Sequence, residues 1–179
     1  MGNIIPVSRE KPPGKVQHSY FWAYMENSTF DAASLKILSE LQQNSRISTN
    51  ELAEKIGMSA TPCWRRQKEL EEKGVISRYA AIVDRRRVDL SQVCLLHISL
   101  TRHDAGVVAG FENAMQLRPE VMECYEVTGT SDYMVKLVVR DMNAYHDFLH
   151  NVLLKLPGVS NVNTSVALRE VKYETALPL

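Results

Sequence analysis

The 179-residue sequence has no apolar run approaching the ~20 residues a membrane-spanning helix requires. Its N-terminus, MGNIIPVSREKPPGKVQHSY, lacks the continuous apolar core of a secretory leader. These absences predict a cytoplasmic protein with no membrane association. Cysteine is scarce as well. Cys63, Cys94 and Cys124 are odd in number, widely spaced and outside any C-x-x-C pair, which excludes a disulfide framework and a zinc motif and predicts reduced, mostly buried thiols. G-x-S-x-G, H-E-x-x-H, G-x-x-x-x-G-K-[ST] and G-x-G-x-x-G are all missing, so neither an enzyme nor a cofactor-binding protein is expected. Net charge is also absent. The formal balance is zero, but residues 1–90 hold 14 Lys and Arg against 11 Asp and Glu, and residues 91–179 hold 7 against 10. A mildly basic half joined to a mildly acidic half suggests two jobs, although charges this few also suit ordinary solvated surfaces.

What is present begins after a tail. Residues 1–24 carry three prolines and no clear period, and 1–28 read as a disordered extension. Met25 stands directly before a helix start and is a candidate initiation site. From about Asp31 to Gln42, Leu35, Leu38 and Leu41 recur every three residues beside Ile37, which predicts one apolar helical face. Ser48-Thr49-Asn50-Glu51 is a capping-box pattern opening a second helix, with Leu52, Ala53 and Ile56 inward and Gly57 as its stop. A third helix starts at the N-cap residue Ser59, with Pro62 in its first turn and Gly74 at its end. Only Met58 separates Gly57 from Ser59, and a tight Gly-containing turn between two short helices is the shape of a helix-turn-helix. VISRYAAIVD (75–84) has strand-like composition suited to a wing, and RRRVDLSQ (85–92) reads as a linker.

The second half alternates differently. Strands are expected over 93–101, 121–129, 132–140 and 159–174, with helices over 105–118 and 143–158. This βαββαβ order is the split ferredoxin-like arrangement. Two helices on one side of four strands leave the other sheet face open. Val135, Leu137 and Val139 are expected on that open face, where they would favour pairing with a second copy. The domain plan is therefore an extension (1–28), a helix-turn-helix domain (29–84), a linker (85–92) and a ferredoxin-like domain (93–179).

The third helix places Thr61, Trp64, Arg65 and Lys68 on one outward face. In a helix-turn-helix the start of the second helix enters the major groove, so Arg65 and Arg66 could reach guanine edges or phosphates. Ser59 and the first-turn amides could hold a phosphate, and Arg46 and Arg78 would suit backbone contacts. The bland alternative is a surface helix with ordinary charges; the capped helix pair, the Gly turn and an exposed tryptophan favour duplex DNA. In the second half, TGTSDY (128–133) could hold a carboxylate on free backbone amides, with Asp132 taking an ammonium group. The same stretch also reads as a polar hairpin turn without a ligand. His146 and His150, four apart on a helix, lack a third metal ligand and read better as solvated face or subunit contact. Glu123 and Glu126 differ by three in a strand, so they face opposite sides and form no acid dyad.

FDAASLKILSELQQNSRISTNELAEKIGMSATPCWRRQKELEEKGVI closely resembles the N-terminal domain of the leucine-responsive regulatory protein / AsnC (Lrp/AsnC) family. The marks are D-x-x-x-x-x-I-L, R-I-S, L-A-x-x-I-G-x-S, T-P-C and L-E-x-x-G-x-I. ECYEVTGTSDYMVKLVV, DMNAYHDFL and LPGV are similar to that family's ligand-sensing domain, and KYETALPL resembles members that control single amino-acid catabolic pathways. The resemblance implies an α+β fold, a winged or plain helix-turn-helix joined to a ferredoxin-like sensing domain. It implies a sequence-specific DNA-binding regulator of amino-acid metabolism, assembled as homodimers and further into octamers, with an amino-acid effector bound between dimers. Carried over by position, DNA contacts fall on Ser59, Thr61, Pro62, Trp64, Arg65 and Lys68. The effector pocket falls on Glu126, Thr128, Gly129, Thr130, Ser131, Asp132, Met142, Ser165, Val166 and Ala167. Three positions depart from the family pattern. Gln67 replaces a usual aliphatic residue, Thr130 a common aspartate, and Glu126 an apolar residue in many members, so leucine is not assumed as effector. The other reading is a small-molecule-binding oligomer whose helix-turn-helix serves protein contacts; salt dependence separates the two.

Overall fold

The computed structural model describes residues 30–101 and 104–179; the extension expected over 1–28, with Met25, lies outside them. The chain divides into two compact units, one running to Ala80 and including Thr175–Leu179, the other Ala81–Glu174. No helix among the described residues is long and apolar enough to cross a membrane.

The first unit contains α1 (Ala32–Gln43), α2 (Thr49–Ile56) and α3 (Ala60–Glu72). Each start has a local cause. Asp31 caps α1, accepting the Ser34 amide at 2.8 Å, and also holds the Arg66 guanidinium. Hydrogen bonding from Ser34, then Arg66, keeps the Asp31 carboxyl below its ordinary value. At α2 the capping box forms in both directions: the Ser48 amide donates to Glu51 Oε2 at 3.0 Å and the Glu51 amide to Ser48 Oγ at 3.3 Å. Both later stops are left-handed glycines, Gly57 at φ +73° and Gly74 at φ +70°. After α3 the Val75 and Gly74 amides turn back to the Leu70 and Glu71 carbonyls, both at 2.9 Å, closing a Schellman motif. Ile37, Leu41, Leu52, Ala53, Cys63 and Leu70 bury between the three helices. The main-chain amide and carbonyl of Leu177 pair with the Gln42 side-chain amide, at 2.6 and 3.2 Å.

The wing expected over 75–84 forms no strand. Val75 and Ile76 are drawn back onto the helical core through the Leu70 carbonyl, and the rest of the segment forms no strand pairing among the described residues. Arg85–Val88 forms a 3-10 turn capped by Asp84.

The second unit is β1 (Gln92–Leu100), α4 (Ala105–Gln116), β2 (Val121–Glu126), β3 (Tyr133–Val139), α5 (Met142–Asn151) and β4 (Val159–Val166). The sheet order is β2-β3-β1-β4, antiparallel throughout. β4 is shorter than the expected 159–174, because after the Ala167 amide, which still donates to the Val93 carbonyl at 2.9 Å, the chain leaves the sheet. One expectation is reversed. Val135, Leu137 and Val139 do not line the open face; they bury with Cys94, Leu96 and Ile98 against Phe111 and Met115 of α4 and Phe148 of α5. The open face carries their alternates instead: Leu95, His97 and Ser99 of β1 opposite Met134 and Lys136 of β3 and Asn161, Asn163 and Ser165 of β4. Both faces of β3 are largely apolar, so a period of two could not say which one meets the helices.

Gly158, just before β4, adopts φ +89°, and a Cβ there would stand 2.3 Å from Cγ1 of Val107 on α4. Cys63 and Cys94 are buried as expected, but Cys124 is exposed on β2, an edge strand.

Candidate functional site

Two surfaces carry the residues singled out in the sequence. On α3, at 100° per residue, Thr61, Trp64, Arg65 and Lys68 share one stripe opposite the buried Cys63 and Leu70. Trp64 is 53% exposed, although an indole of that size normally seeks cover. The Arg65 side chain is 71% exposed, and Glu69 is its ionic neighbour at 3.8 Å. Ser59 occupies the N-cap position without making a side-chain cap bond, which leaves its hydroxyl free for another acceptor or donor at a helix start. Pro62 sits half-buried in the first turn, where its missing amide costs no helical bond. Arg46 and Arg78 are exposed on either side of the helix pair in sequence.

Arg66 has a different partner from Arg65. It lies on the flank nearer the core and its guanidinium bonds to Asp31, so it ties α3 to the start of α1. Gln67, the departure from an aliphatic residue, is half-buried on the opposite flank and hydrogen-bonded, donating to the Tyr79 hydroxyl at 2.8 Å and to Glu71 Oε1 at 3.3 Å. Tyr79 and Glu71 escaped the sequence reading. The three-residue spacing of Lys68 and Glu71 was visible; the return of Tyr79 to the helix was not.

The second surface is the β2–β3 connection. Glu126 ends β2, and Thr128, Gly129 and Thr130 are exposed, with Gly129 at φ +123°. The amides of Gly129, Thr130 and Ser131 donate to no acceptor among the described residues. Asp132 is built into the sheet: its amide donates to the Ile98 carbonyl at 2.9 Å, and its Oδ2 accepts the Leu100 amide at 2.7 Å. That bond holds the carboxylate at the turn and orients one of its oxygens from the backbone.

The remaining sequence-selected residues lie elsewhere. Met142 opens α5, Ser165 and Val166 end β4, and Ala167 follows directly. The register places Val166 opposite Cys94, while Asp132 meets Leu100. Six steps of β1 separate these positions, about 20 Å at the usual strand rise. Within one chain the two groups therefore stand at opposite ends of the sheet and form no common pocket.

Glu123 and Glu126 do face opposite sides. Glu123 pairs with Lys136 at 2.8 Å on the open face, and Glu126 stands opposite Tyr133. The His146 and His150 rings are 4.3 Å apart on the exposed side of α5, and no group of three metal-ligating side chains occurs among the described residues.

The two units match two family descriptions, a winged helix-turn-helix DNA-binding domain over residues 30–77 and the Lrp/AsnC ligand-binding domain over residues 93–177. The leucine-responsive regulatory protein of Haemophilus influenzae is 40% identical over 153 residues, covering 86% of this chain and 92% of that protein. The Bkd operon transcriptional regulator of Pseudomonas aeruginosa is 38% identical over 149 residues, covering 83% and 97%. Among solved structures, a Neisseria meningitidis transcriptional regulator in complex with L-Met superposes with a TM-score of 0.80 at 35% identity, covering 84% of this chain and 97% of that one.

Proposed function

Since the chain belongs to the Lrp/AsnC family of transcriptional regulators, we propose that it reads duplex DNA with α3 and adjusts that reading to an amino-acid effector. It is a regulator and not an enzyme. The exposed stripe of Thr61, Trp64, Arg65 and Lys68 beside the Ser59 hydroxyl is the observation that carries the DNA half. Arg65 would take a guanine edge or phosphate, Lys68 a phosphate, and the start of α3 a further phosphate. Arg46 and Arg78 would add backbone contacts. Arg66 is assigned here to the Asp31 contact, with a phosphate role only where that pair opens. We assign residues 29–84 to DNA reading, 85–92 to the linker and 93–179 to sensing.

The effector half rests on the turn after β2. Three undonated amides and a backbone-oriented carboxylate suit the two charged ends of an amino acid. The separation of this turn from Met142 and Ser165–Ala167 favours a pocket drawn from two copies, since an amino acid cannot span about 20 Å of strand. Effector binding would then change how well copies hold together, and with that how many α3 helices engage neighbouring sites at once. Assembly as dimers and octamers in a cytoplasmic setting belongs to the same reading. The L-Met complex of the Neisseria relative makes methionine a natural first candidate.

A thermal-shift screen against the twenty amino acids tests the effector half, because a ligand of the folded state raises the melting temperature with its saturation. One amino acid is expected to raise it for the wild type and to fail for Asp132→Asn, which keeps a carbonyl acceptor for the Leu100 amide but loses the charge. A variant that responds as the wild type does would move the pocket elsewhere.

A further inference from the structure

We infer that Tyr79 is a positioning residue for DNA recognition, acting through Glu71 on Lys68; this rests on the DNA reading of α3. Glu71 lies one turn beyond Gln67 and Lys68, at the edge of the exposed stripe. Its carboxylate is the hub of a small network. Oε2 takes the Lys68 ammonium at 2.5 Å, and Oε1 takes the Tyr79 hydroxyl at 2.8 Å and the Gln67 amide at 3.3 Å. The Gln67 amide also donates to the Tyr79 oxygen at 2.8 Å, so every polar atom of the tyrosine tip is used. Hydrogen bonds from Lys68, then Tyr79, hold the Glu71 carboxyl below its ordinary value, so it is charged at neutral pH.

A fixed negative charge beside a phosphate-facing stripe is a liability. Its cost depends on where the carboxylate points. Tyr79 and Gln67 hold Oε1 on the flank of α3, away from the middle of the stripe, and Lys68 is set in place by the other oxygen, Oε2. Tyr79 comes from the irregular segment after α3, so the chain that follows the helix is what fixes this charge. An aliphatic residue at position 67 could not complete the network, which gives the unusual glutamine a role.

The test uses the full chain and a fluorescent duplex carrying the sequence that the wild type selects from a random pool, read by anisotropy at constant salt. Tyr79→Phe removes one hydroxyl and keeps the ring. It is expected to weaken binding about five- to tenfold, the net size of one ordinary hydrogen bond, with circular dichroism unchanged. Glu71→Gln removes the charge and is expected to bind at least as tightly as the wild type. Adding Tyr79→Phe to Glu71→Gln is expected to change nothing, whereas a merely structural tyrosine would weaken both backgrounds alike. Equal loss in both backgrounds, or no loss in the first, overturns the inference while leaving the DNA reading intact. Failure of the wild type to select any duplex overturns both.

Discussion

Replacing Gly158 by alanine is expected to destabilise the second unit by about 2–4 kcal/mol, the sum of a left-handed backbone penalty and overpacking. Two costs coincide at this residue. At φ +89° any side chain is strained, and the added Cβ would meet Val107 Cγ1 at 2.3 Å. Val107 cannot swing away cheaply, because it is a β-branched residue on α4 with one strongly preferred rotamer and it packs against the core. Nor can Gly158 retreat, since its carbonyl accepts the Thr101 amide at 2.7 Å. Denaturant unfolding followed by circular dichroism measures the loss. Combining Gly158→Ala with Val107→Ala should recover the steric part and leave the backbone part. A single variant as stable as the wild type would mean that the close approach of this loop to α4 is misplaced.

Arg65→Ala is the second large effect, and it falls on binding with little effect on stability. Its side chain is 71% exposed and its ionic contact with Glu69 is a long surface pair, worth little to folding. On DNA the same guanidinium would face a base edge, where a good contact contributes about 1–3 kcal/mol of discrimination. In the proposed assembly each copy would carry one, so binding to a symmetric site should fall about fivefold or more per copy, with base preference relaxed at the contacted position. Lys68→Ala should weaken binding more evenly across sequences and flatten the salt dependence. Selection from a random pool distinguishes the two. An Arg65→Ala protein that selects the same sequence with the same affinity would remove α3 from the interface.

Local signals made the first unit legible. Ser48 and Glu51, Gly57 and Gly74 each act within four residues of themselves and stand where their chemistry predicts, while Ser59 marks the start of α3 without bonding to it. Long-range facts were less visible. Period-two alternation located β3 but not its buried side, because Met134 and Val138 are apolar too. Strand-like composition over 75–84 suggested a wing, yet a strand needs a partner, and none exists within this chain among the described residues. The turn after β2 was picked out by its Gly-Thr-Ser-Asp composition, but the hold of Asp132 on Leu100 comes from a residue 32 positions away, beyond any local pattern. Tyr79 was missed for the same reason: nothing in a lone tyrosine after a helix announces that it returns to Gln67 and Glu71.

The salt dependence of duplex binding decides whether this chain reads DNA. Affinity for the selected duplex and for a scrambled one should be measured across a range of salt concentrations. Each phosphate neutralised contributes about −0.9 to the slope of log affinity against log salt, so a steep slope is expected, with the selected duplex preferred by about a thousandfold or more. Lys68→Ala should reduce that slope by about one. A shallow slope with no preference between the duplexes would contradict the account and leave α3 as a surface for protein contacts.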